Sequence, residues 1–256
     1  MGFYDLSKEE RVKRVEKIKN NILSDISANE ENYILDYFSD EDTYIRKTAY
    51  LSIGKLFKAH PKLQSAIIDK LKNFIESDSE KVRQTTINAA GELGITDFGL
   101  VSNFFDQGLF DPHHSVRNAV IGSIKKMSDK NPIPTLEWAK RYLHHPNKEI
   151  RREICHGIEL RGRKHPQDIL PLLKELQYDQ TARVRNTLIH VLGQIAYKKG
   201  CLETVIKELN TWDNQELVEK AIDEIVDVHE RYKNFAALTQ QEAIVYIEKH
   251  YRPFDT

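Results

Sequence analysis

The sequence predicts an all-α fold, a right-handed α-solenoid of about six helical repeats, and three observations support it. First, one segment recurs. "DTYIRKTAYLSIGKL", "SEKVRQTTINAAGEL", "HHSVRNAVIGSIKKM", "NKEIRREICHGIEL" and "TARVRNTLIHVLGQI" align on Arg46, Arg83, Arg117, Arg151 and Arg185. "NQELVEKAIDEIVDV" puts Glu219 at the same place, and the steps are 37 residues and then 34 four times. Self-similarity of this length marks units that bury their apolar faces against their neighbours. Second, each unit reads as a pair of amphipathic helices. Third, no stretch alternates apolar and polar residues as a half-buried strand would.

The elements follow in order within a single domain spanning 1–256. Residues 1–28 are predicted to form an N-terminal helix cap, 29–232 the repeats and 233–256 a C-terminal capping helix. In the fifth unit, Ile169, Leu172, Leu173 and Leu176 share one helical face, and Val184, Leu188, Val191, Leu192 and Ile195 share the next. In the fourth, Ile150, Ile154 and Ile158 form the buried face. Asp111, Asp179 and Asp213 stand six residues before the repeat position. They read as turn or N-cap residues whose carboxylates accept free helix N–H groups. Trp138, Phe104, Phe105 and Phe110 read as core between first helices, and Tyr197 as either a helix-end packing residue or one reaching a groove.

Composition narrows the function classes. Net charge is −1, but residues 113–200 hold 17 Lys+Arg against 8 Asp+Glu, whereas residues 201–256 hold 6 against 12. A basic middle between acidic ends is the electrostatic footprint expected of a polyanion-binding segment. No apolar run approaches the ~18 residues that span a bilayer, no signal peptide or myristoylation pattern is visible, and a cytoplasmic protein is expected. Two cysteines, Cys155 and Cys201, do not make a disulfide framework or a zinc site unaided. No phosphate-binding loop, nucleophile elbow, H-E-x-x-H or paired C-x-x-C occurs. No metal and no cofactor are expected, and the doubled histidines at 113–114 and 144–145 read as surface turns.

A period of 34 also suits tetratricopeptide repeats, but their Trp, Leu-Gly, Tyr, Ala and Phe pattern is absent. The aspartate turn followed by Val/Ile-Arg opening a second helix resembles HEAT repeats over roughly 29–232. That resemblance implies that the repeated arginines brace neighbouring units and that second helices line a concave surface. The residue after each arginine then becomes informative, because positions n, n+4, n+7 and n+11 share one side of a helix. In the fourth unit these are Arg152, His156, Glu159 and Arg163; in the fifth, Asn186, His190, Gly193 and Tyr197. With Lys125, Arg161 and Lys198 nearby, they form a basic, histidine-rich column suited to phosphate contacts.

Two segments are similar to something narrower. "HPNKEIRREICHGI…ILPLLKELQYDQTARVRNTLIHVLGQI" resembles the repeats of AlkC-type alkylpurine DNA glycosylases, and "LVEKAIDEIVDVHERYKNFAALTQQEAIVYIEKHY" resembles the end of the AlkD family. The match covers about 110 residues. It implies a C-shaped solenoid that wraps duplex DNA and excises cationic alkylated purines, with an acidic residue stabilising the developing sugar cation. The chain departs from the pattern where that chemistry sits. The AlkD Trp-Trp-Asp-x-x-x-Asp stretch has no counterpart, its later tryptophan falls on Glu224, and the AlkC Glu-Gly falls on His156-Gly157. The glycosylase chemistry would then be lost, altered, or moved to Glu159 or Glu224. The expected DNA contacts are Lys125, Arg152, His156, Arg161, Arg163, Asn186, His190 and Lys198. Whether the chain is an enzyme stays open at this point, as does the rival reading, a non-catalytic HEAT scaffold that binds a protein on the same surface.

Overall fold

A computed structural model describes residues 2–252. Among them every regular element is helical. The α-helices are α1 (Lys8–Ala28), α2 (Ile34–Ser39), α3 (Thr43–Ala59), α4 (Gln64–Ile75), α5 (Glu80–Gly94), α6 (Ser102–Gly108) and α7 (His114–Lys130). They continue as α8 (Pro132–Lys140), α9 (Lys148–Gly157), α10 (Glu159–Gly162), α11 (Leu170–Lys174), α12 (Ala182–Ala196), α13 (Leu202–Leu209), α14 (Gln215–Arg231) and α15 (Gln240–His250). The architecture is an α-solenoid of helix pairs. None of these helices is long and apolar enough to cross a membrane.

Local chemistry fixes where helices start. Ser7 and Glu10 form a reciprocal capping box at α1, and Thr239 and Glu242 form another at α15. The buried Asp25 carboxylate accepts the Tyr33 and Ile34 N–H groups, both at 2.8 Å, and so starts α2. Asp42, Asn147 and Asn214 cap α3, α9 and α14. Asp111 and Asp179 are turn residues rather than caps. Their carboxylates accept the N–H of His113 and Thr181, each at 2.8 Å, and those two residues are the N-caps of α7 and α12.

The chain divides into two compact units, 1–131 and 132–256. In the first, α3 packs on α5 and α5 on α7, with α2, α4 and α6 behind them. Ile22, Phe38, Ile53, Leu71, Ile87 and Phe105 fill its core. In the second, α12 lies between α9 and α14, while α15 packs on α13 and α14. The five-residue α11 is far too short to persist alone. It is held by Leu170, Leu172 and Leu173, whose burial stabilises by about 1.5–3 kcal/mol each. Trp138 and the predicted faces of α9, α11 and α12 are all buried. Phe110 corrects the sequence reading: it sits in the turn beyond α6 and is 55% exposed, unlike Phe104 and Phe105.

The repeated arginine has a consistent job. At the fourth position of its helix, each guanidinium folds back on the turn before it. Nη1 of Arg46, Arg83, Arg117, Arg151 and Arg185 donates to the carbonyl six residues earlier, at 2.5–2.8 Å. Arg83 and Arg151 also cross to the next repeat, where Nε and Nη2 form a fork on Asp111 and Asp179. Burial pushes both carboxyls up, but the guanidinium and the turn N–H outweigh it and hold them below the usual carboxylate range.

Candidate functional site

The second unit concentrates polar chemistry on α9, α10, α12 and α14. α9 ends at Gly157 and α10 begins at Glu159, with Ile158 at the junction buried. Two glycines let the helices close. A Cβ on Gly162 would lie 2.5 Å from Ile195 Cδ1, and one on Gly193 would lie 2.8 Å from Glu224 Cγ. The second contact lets α14 bring Glu224 to the column of α12.

Glu159 is the centre of the cluster, its side chain only 2% exposed. One carboxylate oxygen, Oε1, pairs with Arg163 Nη2, and Oε2 lies 3.0 Å from His156 Nε2. Arg163 Nη2 also donates to Gln194 Oε1 at 2.7 Å. Arg163 Nε and Gln194 Nε2 are buried with no hydrogen-bond partner. The His156 and His190 rings meet edge to face, with centroids 6.0 Å apart. His190 Nδ1 lies 3.5 Å from Glu224 Oε1, and the other oxygen of Glu224 accepts from Arg231 Nη2 at 3.1 Å. One ligand atom from each of His156, Glu159 and His190 lies within 4.8 Å of the other two.

The predicted site residues therefore separate into groups. His156, Glu159, Arg163, His190 and Glu224 come together. Arg152, predicted to share their stripe, turns instead to Glu149 at 3.0 Å and Glu153 at 3.5 Å. Arg161 is bound to Asp168 through Nε and Nη2, at 2.8 and 2.5 Å. Lys198 lies over the Tyr197 ring, 4.2 Å from its centroid. Tyr197 is buried and stacks on Tyr232, which decides for packing over a groove role. Asn186 is exposed and lines a shallow cleft with Arg185, Asn214 and Lys220. Lys125 belongs to α7 of the first unit. Both candidate catalytic carboxylates, Glu159 and Glu224, are already engaged by arginine and histidine.

Sequence reasoning gave no role to Gln194, Asp168 or Arg231. Gln194 was legible as one turn beyond His190, and Arg231 as seven residues beyond Glu224. Asp168 had no signal, because a 3-10 turn at Pro166–Asp168 brings it back to Arg161.

No protein-family model matches the sequence, and no curated protein does. Among solved structures, the chain is similar to the YibA protein of E. coli, at 19% identity and a TM-score of 0.45, covering 96% of this chain and 89% of that one. A designed armadillo repeat protein is 14% identical with a TM-score of 0.35, over 76% of this chain and 98% of that one. A chain from the complex of CpcE and CpcF of phycocyanin lyase from Nostoc sp. PCC7120 is also 14% identical, with a TM-score of 0.36, over 85% and 93%.

Proposed function

We propose that the chain is a helical-repeat interaction module that binds a protein partner through the polar face of its second helices. The observation carrying this is that the arginines suited to phosphate contacts are committed to carboxylates of their own unit. Arg152 is held by Glu149 and Glu153, Arg161 by Asp168 and Arg163 by Glu159. To contact DNA, each would have to leave its partner, and Glu159 would then remain buried with its charge less compensated. Neighbouring surface positions pair opposite signs, as in Arg183 with the half-buried Glu149, Lys220 with Glu216 and Arg231 with Asp227. Such a surface complements another mixed-charge protein surface better than a uniform polyanion. A cytoplasmic setting suits the two buried free cysteines, Cys155 and Cys201.

The second reading is a duplex-DNA binder related to the alkylpurine glycosylases, favoured by the excess of nine positive charges over residues 113–200, 17 against 8. In that reading Glu159 or Glu224 would have to be freed from its cations to act on a lesion. Fluorescence anisotropy with a labelled duplex, run as a salt series, separates the two. The interaction-module reading expects no saturable binding at low salt. A site contacting six to ten phosphates would lose about 10³–10⁵ in affinity between 50 and 200 mM salt. Saturable binding with so steep a dependence would overturn the proposal.

A further inference from the structure

We infer that His156, Glu159 and His190 form a binding site for a divalent first-row transition metal of the zinc type, joining successive repeats of the second unit. The inference holds whichever macromolecule the surface recognises. Its first support is donor chemistry. Two imidazoles and one carboxylate suit zinc and its first-row neighbours, whereas calcium and magnesium take oxygen donors. The second is geometry. Ligands about 2.0–2.2 Å from a tetrahedral zinc stand roughly 3.3 Å apart, and His156 Nε2 and Glu159 Oε2 are already 3.0 Å apart. The cluster spans at most 4.8 Å, and the remaining adjustment falls to His190, whose side chain is 41% exposed. The rings approach at 90° rather than stacking, so both can turn a nitrogen toward one point.

The surroundings resemble a supporting shell. Arg163 takes Oε1 of Glu159 and leaves Oε2 facing His156. Glu224 lies beside Nδ1 of His190, where a carboxylate fixes ring orientation and raises ligand basicity. Arg163 opposes a cation by its own charge. Glu159 and Glu224 nevertheless offset the charges of Arg163 and Arg231. Three protein ligands leave one tetrahedral position, on the side where the two histidines are part-exposed.

The test uses the full chain, stripped with chelator and titrated with Zn²⁺ by calorimetry and with Co²⁺ by visible absorption. We expect one ion per chain, the intense visible bands of tetrahedral Co²⁺, and a higher thermal midpoint with metal than without. His190→Ala, at a part-exposed position, should keep the metal-free thermal midpoint and weaken binding by more than the ~10-fold that loss of even an outer-shell partner costs. His156→Ala combined with it should abolish binding. His144→Ala, outside the cluster with its Nε2 2.6 Å from Glu175, should bind as the parent does. Equal affinity in the parent and His190→Ala, absence of one-to-one binding, or the weak spectrum of octahedral Co²⁺ would each overturn the site.

Discussion

One turn beyond each repeat arginine, the two units differ sharply. In the first, that column runs Leu51, Asn88 and Gly122; in the second, it runs His156, His190 and Glu224. The frame around the column is the same. Arg83 forks onto Asp111 and Arg151 onto Asp179, and each also donates to the carbonyls of its own turn. The repeat constrains the arginine, which must satisfy a turn, and leaves the next column free to carry whatever chemistry the surface needs. Only in the second unit does that column hold titratable groups close enough to act together.

The largest expected effect tests the shared frame. Arg151→Ala should cost about 3 kcal/mol or more in denaturant unfolding, because it leaves the buried Asp179 charge without its guanidinium. Arg83→Ala should behave alike, while Arg46→Ala, which removes bonds to the Asp40 and Glu41 carbonyls, should cost about 1 kcal/mol. Equal losses in all three would break the distinction between a fork across repeats and a bond within one turn.

Acid should expose the same forks. Asp111 and Asp179 have folded pKa values below their unfolded ones, so their stabilisation is present above the unfolded value of about 3.9 and is lost as pH falls through the folded values. Urea midpoints measured at pH 6 and pH 3 should fall in the parent. In Arg83→Ala and Arg151→Ala they should fall less, because the fork is already gone.

Glycine substitutions sharpen the contrast between columns. Gly193→Ala drives a Cβ into Glu224 Cγ and should destabilise by about 1–3 kcal/mol, read as a lower thermal midpoint. Gly122→Ala, mid-helix in α7 with nothing within 4 Å, should stabilise by roughly 0.5–1 kcal/mol. A gain at Gly193 would mean that α14 is not closely seated on α12.

The frame was legible because it repeats. Six aligned segments announced the helix pairs, and the apolar spacings of Ile150, Ile154 and Ile158 or Val184, Leu188 and Val191 gave the buried faces directly. The site was legible only in part. Helical geometry put His156, Glu159 and Arg163 on one side of the chain, and there they meet. It also put Arg152 with them, but a carboxylate three residues back and another one residue on, Glu149 and Glu153, offer nearer partners than the column does. The charge balance over 113–200 already sets Asp168 and Glu159 against the arginines, but a sum does not say which arginine each of them holds. The pairing of Glu224 with Arg231 and of Arg163 with Gln194 depends on side-chain reach within and between helices, which periodicity does not encode.

The arginine fork has a consequence for how such a chain is inherited. A guanidinium bonded within its own turn travels intact when a repeat is duplicated or deleted, as Arg46 would. Arg83 and Asp111, or Arg151 and Asp179, sit 28 residues apart in consecutive repeats. Removing either repeat of such a couple strands a buried carboxylate or an idle guanidinium. Phe74 and His145 stand at the corresponding distance after Arg46 and Arg117, and Asp213 stands there after Arg185. Recombination that respects these two forks would keep the second repeat with the third and the fourth with the fifth.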